Sequence, residues 1–191
     1  MITGKKTGLG RAAGAHGYSL AEVVVTVGII SILAALSIPA LRYTMNSKAL
    51  AAAGREVYGA LRLAQLNAVR ENRNCALLFS ATGYRLFLDL DKNYTFSPGD
   101  RWLGAEMPWA KSNSQVNAEV SGFVSSGTGR AVAFRPSMAP ARPSGGGGLP
   151  NGTVTLKNPR MASEMRVCVG TAGSVRLTRC RIGAPNGCDC R

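Results

Sequence analysis

The sequence predicts an α+β chain: a long N-terminal α-helix, first membrane-spanning and then amphipathic, packed on a small antiparallel β-sheet or β-sandwich head. Three observations lead there. Residues 23–41 read VVVTVGIISILAALSIPAL, an almost unbroken apolar run. From residue 42 to about residue 72 apolar side chains recur every three or four positions, the helical period. From residue 75 onward the pattern changes to short alternating runs separated by glycine-bearing turns, the strand period.

A chain of 191 residues has room for one ordinary domain plus an accessory segment. Hydrophobic residues make up 46% of it, but they are concentrated in residues 23–41, so the head is modest. The formal charge is +13, from 23 Lys and Arg against 10 Asp and Glu. That balance suits polyanionic partners such as nucleic acid or anionic lipid.

Residues 1–17 carry Lys5, Lys6, Arg11 and His16 among Gly, Ala and Thr, and have no apolar run. In a secretory signal peptide the small residues and the cut follow the apolar stretch, which is then discarded. Here a basic leader without an apolar run precedes it, so the apolar segment reads as kept. Without residues 1–17 the chain would carry 20 basic against 10 acidic residues, a net +10.

As a helix, residues 18–41 would extend about 36 Å, enough to cross roughly 30 Å of hydrocarbon once. Positive residues precede this span, which puts the leader in the cytoplasm and the head outside. Glu22 is its only charge. A lone carboxylate at membrane depth costs on the order of 3 kcal/mol and calls for a partner. The α-amine freed by a cut before Tyr18 would supply one, on the same chain or a neighbour; a carboxylate resting at the membrane interface is the plainer reading. Pro39 lacks a backbone N–H and strains the turn before it, so a bend or local melting is expected over residues 36–40.

Gly17-Tyr18-Ser19-Leu20-Ala21-Glu22 resembles the cleavage and methylation site of type IV prepilins and type II secretion pseudopilins. Such a site has Gly before the cut, an aromatic or similar residue after it and Glu as the fifth mature residue. Tyr18 stands where Phe is commoner, and Pro39 falls where pilin helices often carry a kinking proline. The resemblance implies that prepilin peptidase cuts after Gly17, that Tyr18 becomes N-methylated, and that Glu22 supports cleavage or registers subunits during assembly.

In the head, the helical stripe Leu50, Ala53, Val57, Leu61, Ala64 and Ala68 gives one apolar face, with Arg55, Arg62, Arg70 and Arg73 mainly off it. Strands are expected at 75–80, 84–90, 115–124, 131–134, 152–157, 165–169 and 174–179. The first two and the last two form hairpins. Residues 136–150 (PSMAPARPSGGGGLP) read as a flexible loop within one domain. Residues 42–180 thus form the head, and 181–191 a basic tail containing cysteine. The order of helix, hairpin, Asp-rich loop with Trp102, Phe134-Arg135-Pro136 and closing strands resembles the GspH/FimT family of minor pilins and pseudopilins, over about residues 18–180.

All five cysteines, Cys75, Cys168, Cys180, Cys188 and Cys190, follow the apolar segment, where an exported head meets an oxidising compartment. One or two disulfides among Cys168, Cys180, Cys188 and Cys190 are expected. Their spacings do not match a zinc knuckle, and sequence leaves their pairing open. Asp89-Leu90-Asp91-Lys92-Asn93 begins like a calcium loop with Asp100 twelfth, but Tyr94 stands where the motif needs Gly and Asp100 is shorter than its usual Glu. Those departures favour a polar turn, and no metal or cofactor is assigned.

Nor is a catalytic residue. The only histidine, His16, leaves with the leader, which removes the commonest general base, triad member and zinc ligand. The strongest binding candidate is the basic C-terminal region, where Arg176, Arg179 and Arg181 would meet as DNA phosphate contacts if the last strand bends into the tail. FimT-like members bind DNA during uptake through a Gly-Arg-x-Arg pattern; Gly173-Ser174-Val175-Arg176 keeps its Gly and second Arg but has Ser at the first.

The expected function is structural: a minor pilin or pseudopilin in the inner membrane with its head in the periplasm. It would assemble with other pilins near the tip of a type II secretion pseudopilus or type IV pilus. A DNA-binding minor pilin for uptake is the alternative, and a signal-anchored protein that keeps residues 1–17 is a third.

Overall fold

The computed structural model describes residues 17–109, 115–127, 129–143 and 151–182. One helix, α1 (Leu20–Glu71), opens the chain, and two compact units meet at its residue 41: Met1–Leu41 and Arg42–Arg191.

In the first unit every described side chain is exposed, including Leu20, Val24, Ile30, Leu33 and Leu36. Water tolerates no bare apolar surface of that extent on a soluble monomer. By length and composition, with a mean hydropathy of 2.4, the segment can cross a membrane. The hydroxyls within it return to their own helix: Thr26 Oγ1 donates to Val23 O at 2.9 Å, Ser31 Oγ to Val27 O at 2.8 Å and Ser37 Oγ to Leu33 O at 2.7 Å. Such back-bonding leaves no hydroxyl unsatisfied in hydrocarbon. The helix runs on through Pro39, so the local melting expected there is absent. Proline removes one N–H, and turns on both sides keep their own hydrogen bonds.

In the second unit α1 buries Leu50, Gly54, Val57, Ala60, Leu61, Ala64, Gln65 and Ala68, a stripe at steps of one to four. The helix stops at a left-handed Asn72 (φ 49°), with Asn72 N donating to Val69 O and Arg73 N to Ala68 O. These are the paired bonds of a Schellman ending, and asparagine tolerates the left-handed turn.

Among the described residues ten strands follow: β1 (Asn74–Phe79), β2 (Gly83–Asp89), β3 (Arg101–Trp102), β4 (Met107–Pro108), β5 (Asn117–Ser121), β6 (Val124–Ser126), β7 (Gly129–Phe134), β8 (Gly152–Lys157), β9 (Ser163–Val169) and β10 (Val175–Arg181). They build two antiparallel sheets. One has the order β3-β2-β1-β7-β6 with β4 also on β2; the other has the order β10-β9-β8-β5. Leu77, Phe79, Leu86, Val132 and Phe134 from the first sheet, and Val154, Leu156, Val167 and Val175 from the second, share one core with the helix stripe. A Cβ on Gly54 would lie 3.1 Å from Leu177 and 3.2 Å from Met165, so glycine lets α1 approach β9 and β10 closely.

The expected single strand over 115–124 is two, because the chain turns at Gly122 (φ +79°) and hands β5 to one sheet and β6 to the other. The segment expected to be a flexible loop from residue 136 is fixed over its first part. Arg135 N donates to Ala139 O, Ala141 N to Ala133 O, and Tyr94 Oη to Ala141 O. Residues 144–150 lie outside the described residues. Tyr94 and Ala141 belong to a second small core with Ala76, Phe87, Ala131 and Ala133.

Candidate processing and assembly site

Gly17 and Tyr18 are exposed and precede the helix. Ser19 starts it: its Oγ accepts the N–H of Glu22 at 3.2 Å, and its carbonyl accepts Glu22 N at 3.1 Å and Val23 N at 3.2 Å. A serine cap is worth about 1 kcal/mol, and the Glu22 carboxylate sits in the first turn where the helix dipole favours it. The Ser-x-x-Glu spacing is a capping-box pattern that locates the helix start, a signal the sequence reading passed over. Among the described residues the Glu22 carboxylate has no ion-pair partner. No atom lies within 4 Å of a Cβ built on Gly17, and its φ is not in the left-handed region, so nothing in the chain's own fold requires glycine there.

The three C-terminal arginines do not converge. Strand β10 is unbroken from Val175 to Arg181, so side chains alternate faces throughout. Arg176 stands opposite Cys168, on the face away from the helix. Arg179 and Arg181 lie on the other face, where Arg179 Nη2 donates to Ser47 Oγ of α1 at 2.8 Å and to Ser163 Oγ at 3.3 Å. The bend needed to gather them is absent, because the ladder with β9 persists to the pair Arg181 and Ser163.

Cys168 and Cys180 are each disulfide-bonded. The register sets Cys168 against Arg176 and Cys180 against Glu164, so the two cysteines are offset by four residues, about 13 Å along the ladder. No disulfide spans that distance, so they are not bonded to each other. Cys188 and Cys190 lie outside the described residues. Cys75 is a free, fully buried thiol, pushed up to about 12 by burial and by the Glu71 carboxylate. It stays protonated and inert at neutral pH.

The acidic loop brings carboxylate oxygens of Asp89, Asp91 and Asp100 within 4.8 Å of one another. Its own donors occupy them. Asp89 accepts Asn93 N at 3.1 Å and Tyr94 N at 3.3 Å, and Asp91 accepts Ser97 Oγ at 2.8 Å. Asp100 accepts Leu90 N at 2.8 Å and Ser97 N at 2.9 Å. Burial, with the nearby Asp91 and Asp100, raises the Asp89 carboxyl to about 6, against the two backbone N–H bonds. This is the arrangement of a self-satisfied polar turn.

Two residues that the sequence reading left without a role join distant parts of the head. Gln65 is buried and donates to Gly173 O at 2.7 Å and Met138 O at 3.0 Å, while Ser47 holds Arg179. A glutamine within an otherwise apolar helix stripe was the available signal.

The chain is similar to the pilin-like protein PilA1 of Thermus thermophilus, 27% identical over 168 residues that cover 85% of this chain and 97% of that one. Two crystal forms of the type IV minor pilin FimU of Pseudomonas aeruginosa align at 13% and 14% identity with TM-scores of 0.48 and 0.45, covering 71% and 68% of this chain and 92% of each of theirs. A family described as type II transport protein GspH matches residues 53–173, well over half of the chain. The chain therefore belongs to the family of type II transport protein GspH.

Proposed function

We propose that prepilin peptidase cuts this chain after Gly17, that Tyr18 becomes N-methylated, and that residues 18–41 anchor it in the inner membrane with the head in the periplasm. It then joins other pilins near the tip of a type II secretion pseudopilus or a type IV pilus. As a member of a structural family it is not an enzyme. The observation that carries the reading is the pairing of Gly17, for which the fold has no use, with a fully exposed apolar helix beginning three residues later. A glycine without a structural role fits a requirement imposed by another protein. The exposed helix needs lipid, and afterwards the like helices of neighbouring subunits, to cover it.

Higher on α1, Leu63, Leu66 and Val69 are exposed, and Leu63 edges an apolar groove of about 330 Å³ with Ala60, Tyr84, Met107 and Pro108. That surface supports contact between heads in a filament. DNA uptake remains the second reading, resting on the net charge alone, since Arg176 and the pair Arg179 and Arg181 occupy opposite faces.

The test is to express the full chain with a prepilin peptidase and determine the intact mass and N-terminal residue of the membrane fraction. The expected product begins at N-methyl-Tyr18. A chain that retains residues 1–17 would establish the signal-anchored alternative instead.

A further inference from the structure

Strand β10 descends along α1 toward the point where the apolar segment joins the head. Three contacts fix its direction: the Gly173 carbonyl meets Gln65, Leu177 meets Gly54, and Arg179 meets Ser47. Ser47 lies six residues past Leu41, about 9 Å along the helix. Arg181 lies two residues further down β10, about 7 Å closer to that junction.

The same end carries the turn between β8 and β9. Ile182 N donates to Ala162 O, and Met161 N to Asn158 O, so exposed Arg160 lies in the turn that leads into the residues paired with the end of β10. Arg42 and Lys48, both exposed, project from the first turns of α1 inside the head. Arg42, Lys48, Arg160, Arg179 and Arg181 therefore ring the base of the head, and none has an ion-pair partner among the described residues.

Two acids on the adjoining strands are already engaged. Glu119 is held by Lys157 at 2.8 Å, and buried Glu164 by Arg166 at 2.6 Å. The acidic group Asp89, Asp91 and Asp100 sits at the other end of α1, where Asn74 pairs with Asp89 just past the helix terminus. Exposed Arg55, Arg70 and Arg73 also lack an ion-pair partner among the described residues, but the carboxylate cluster lies at the Arg70 and Arg73 end of α1 and not at the end where residue 42 begins the head.

We infer that this basic rim is a docking surface for anionic phospholipid headgroups, which holds the head down on the bilayer before assembly. The inference rests on the proposed membrane anchoring of residues 18–41. With that segment in the bilayer, Arg42, bonded directly to its last residue, stands at headgroup depth, where salt screens exposed charges only beyond about 8–10 Å. Clusters of basic residues next to a membrane span attract anionic lipid by this means. Chain continuity favours lipid over nucleic acid, because Arg42 follows the proposed span without an intervening residue.

The full-length processed chain, reconstituted in nanodiscs of phosphatidylcholine alone or of phosphatidylcholine with phosphatidylglycerol, tests this by hydrogen–deuterium exchange. Recovery of the chain in both disc types checks anchoring separately. Segments 158–163 and 179–182 should exchange on the order of ten-fold more slowly in the anionic discs, with the difference lost in high salt and in the Arg160→Gln/Arg181→Gln variant. Equal exchange in the two disc types, or protection that survives the double substitution, overturns the inference. So does protection that appears in the zwitterionic discs only when a short DNA duplex is added, which would assign the rim to nucleic acid.

Discussion

The side-chain amide of Gln65 donates to the carbonyl of Gly173, 108 residues away, at 2.7 Å and also reaches Met138 O, so one helical residue ties down two turns. Arg62 in turn donates to its Oε1 at 2.9 Å. Replacing Gln65 with Leu fills similar space but leaves two carbonyls without a donor. A loss of about 2–4 kcal/mol is expected in denaturant unfolding, with faster hydrogen exchange at residues 138 and 173. A loss below about 0.5 kcal/mol would mean that solvent takes over both carbonyls.

Glu22→Ala should abolish incorporation into filaments while leaving the helix start intact, because the cap is made by Ser19 Oγ and the backbone N–H of residue 22. Ser19→Ala reverses the pattern, costing about 1 kcal/mol of local helix stability with the carboxylate retained. Quantifying filament-borne subunits for both variants separates charge from cap. Normal incorporation of Glu22→Ala would exclude the amine-pairing role.

Asp89 holds its proton more tightly in the folded chain, at about 6, than the ordinary value of 3.8. Its contribution to stability is therefore full below pH 4 and is lost as pH rises through 6, by roughly 2–3 kcal/mol. A carboxyl titration followed by NMR should show this high midpoint. Unfolding midpoints of the wild type and Asp89→Asn should converge at acidic pH relative to their separation at pH 7, the wild type losing more on the way up.

Peptide mapping without reduction should recover Cys168 and Cys180 in separate disulfides, never cross-linked to each other, which leaves Cys188 and Cys190 as their partners. Cys75 should resist alkylation until the chain unfolds. A Cys168 to Cys180 cross-link would require a register shift of four residues between β9 and β10.

Much of this fold could be read from periodicity. The helix stripe from Leu50 to Ala68, both hairpins, and β8 at residues 152–157 were all expected within a residue or two, because long amphipathic patterns repeat enough to be recognised. Strands β3 and β4 have two residues each, too few for any period, and they exist only because β2 offers them an edge. The pattern from Gly17 to Glu22, on which the proposed processing rests, is contiguous and so can be read without a fold. The base of the head was not, since Ser47 and Arg179 are 132 residues apart and only the sheet register reveals which arginines share a face.

The apolar helix keeps Thr26, Ser31 and Ser37 bonded to its own backbone, so it offers no donor to anything beside it. Two such rods can slide past one another along their axes with little change in energy, as greased surfaces do. Where one stops must then be decided by something that is not greased, and along residues 18–41 the only charged side chain is that of Glu22.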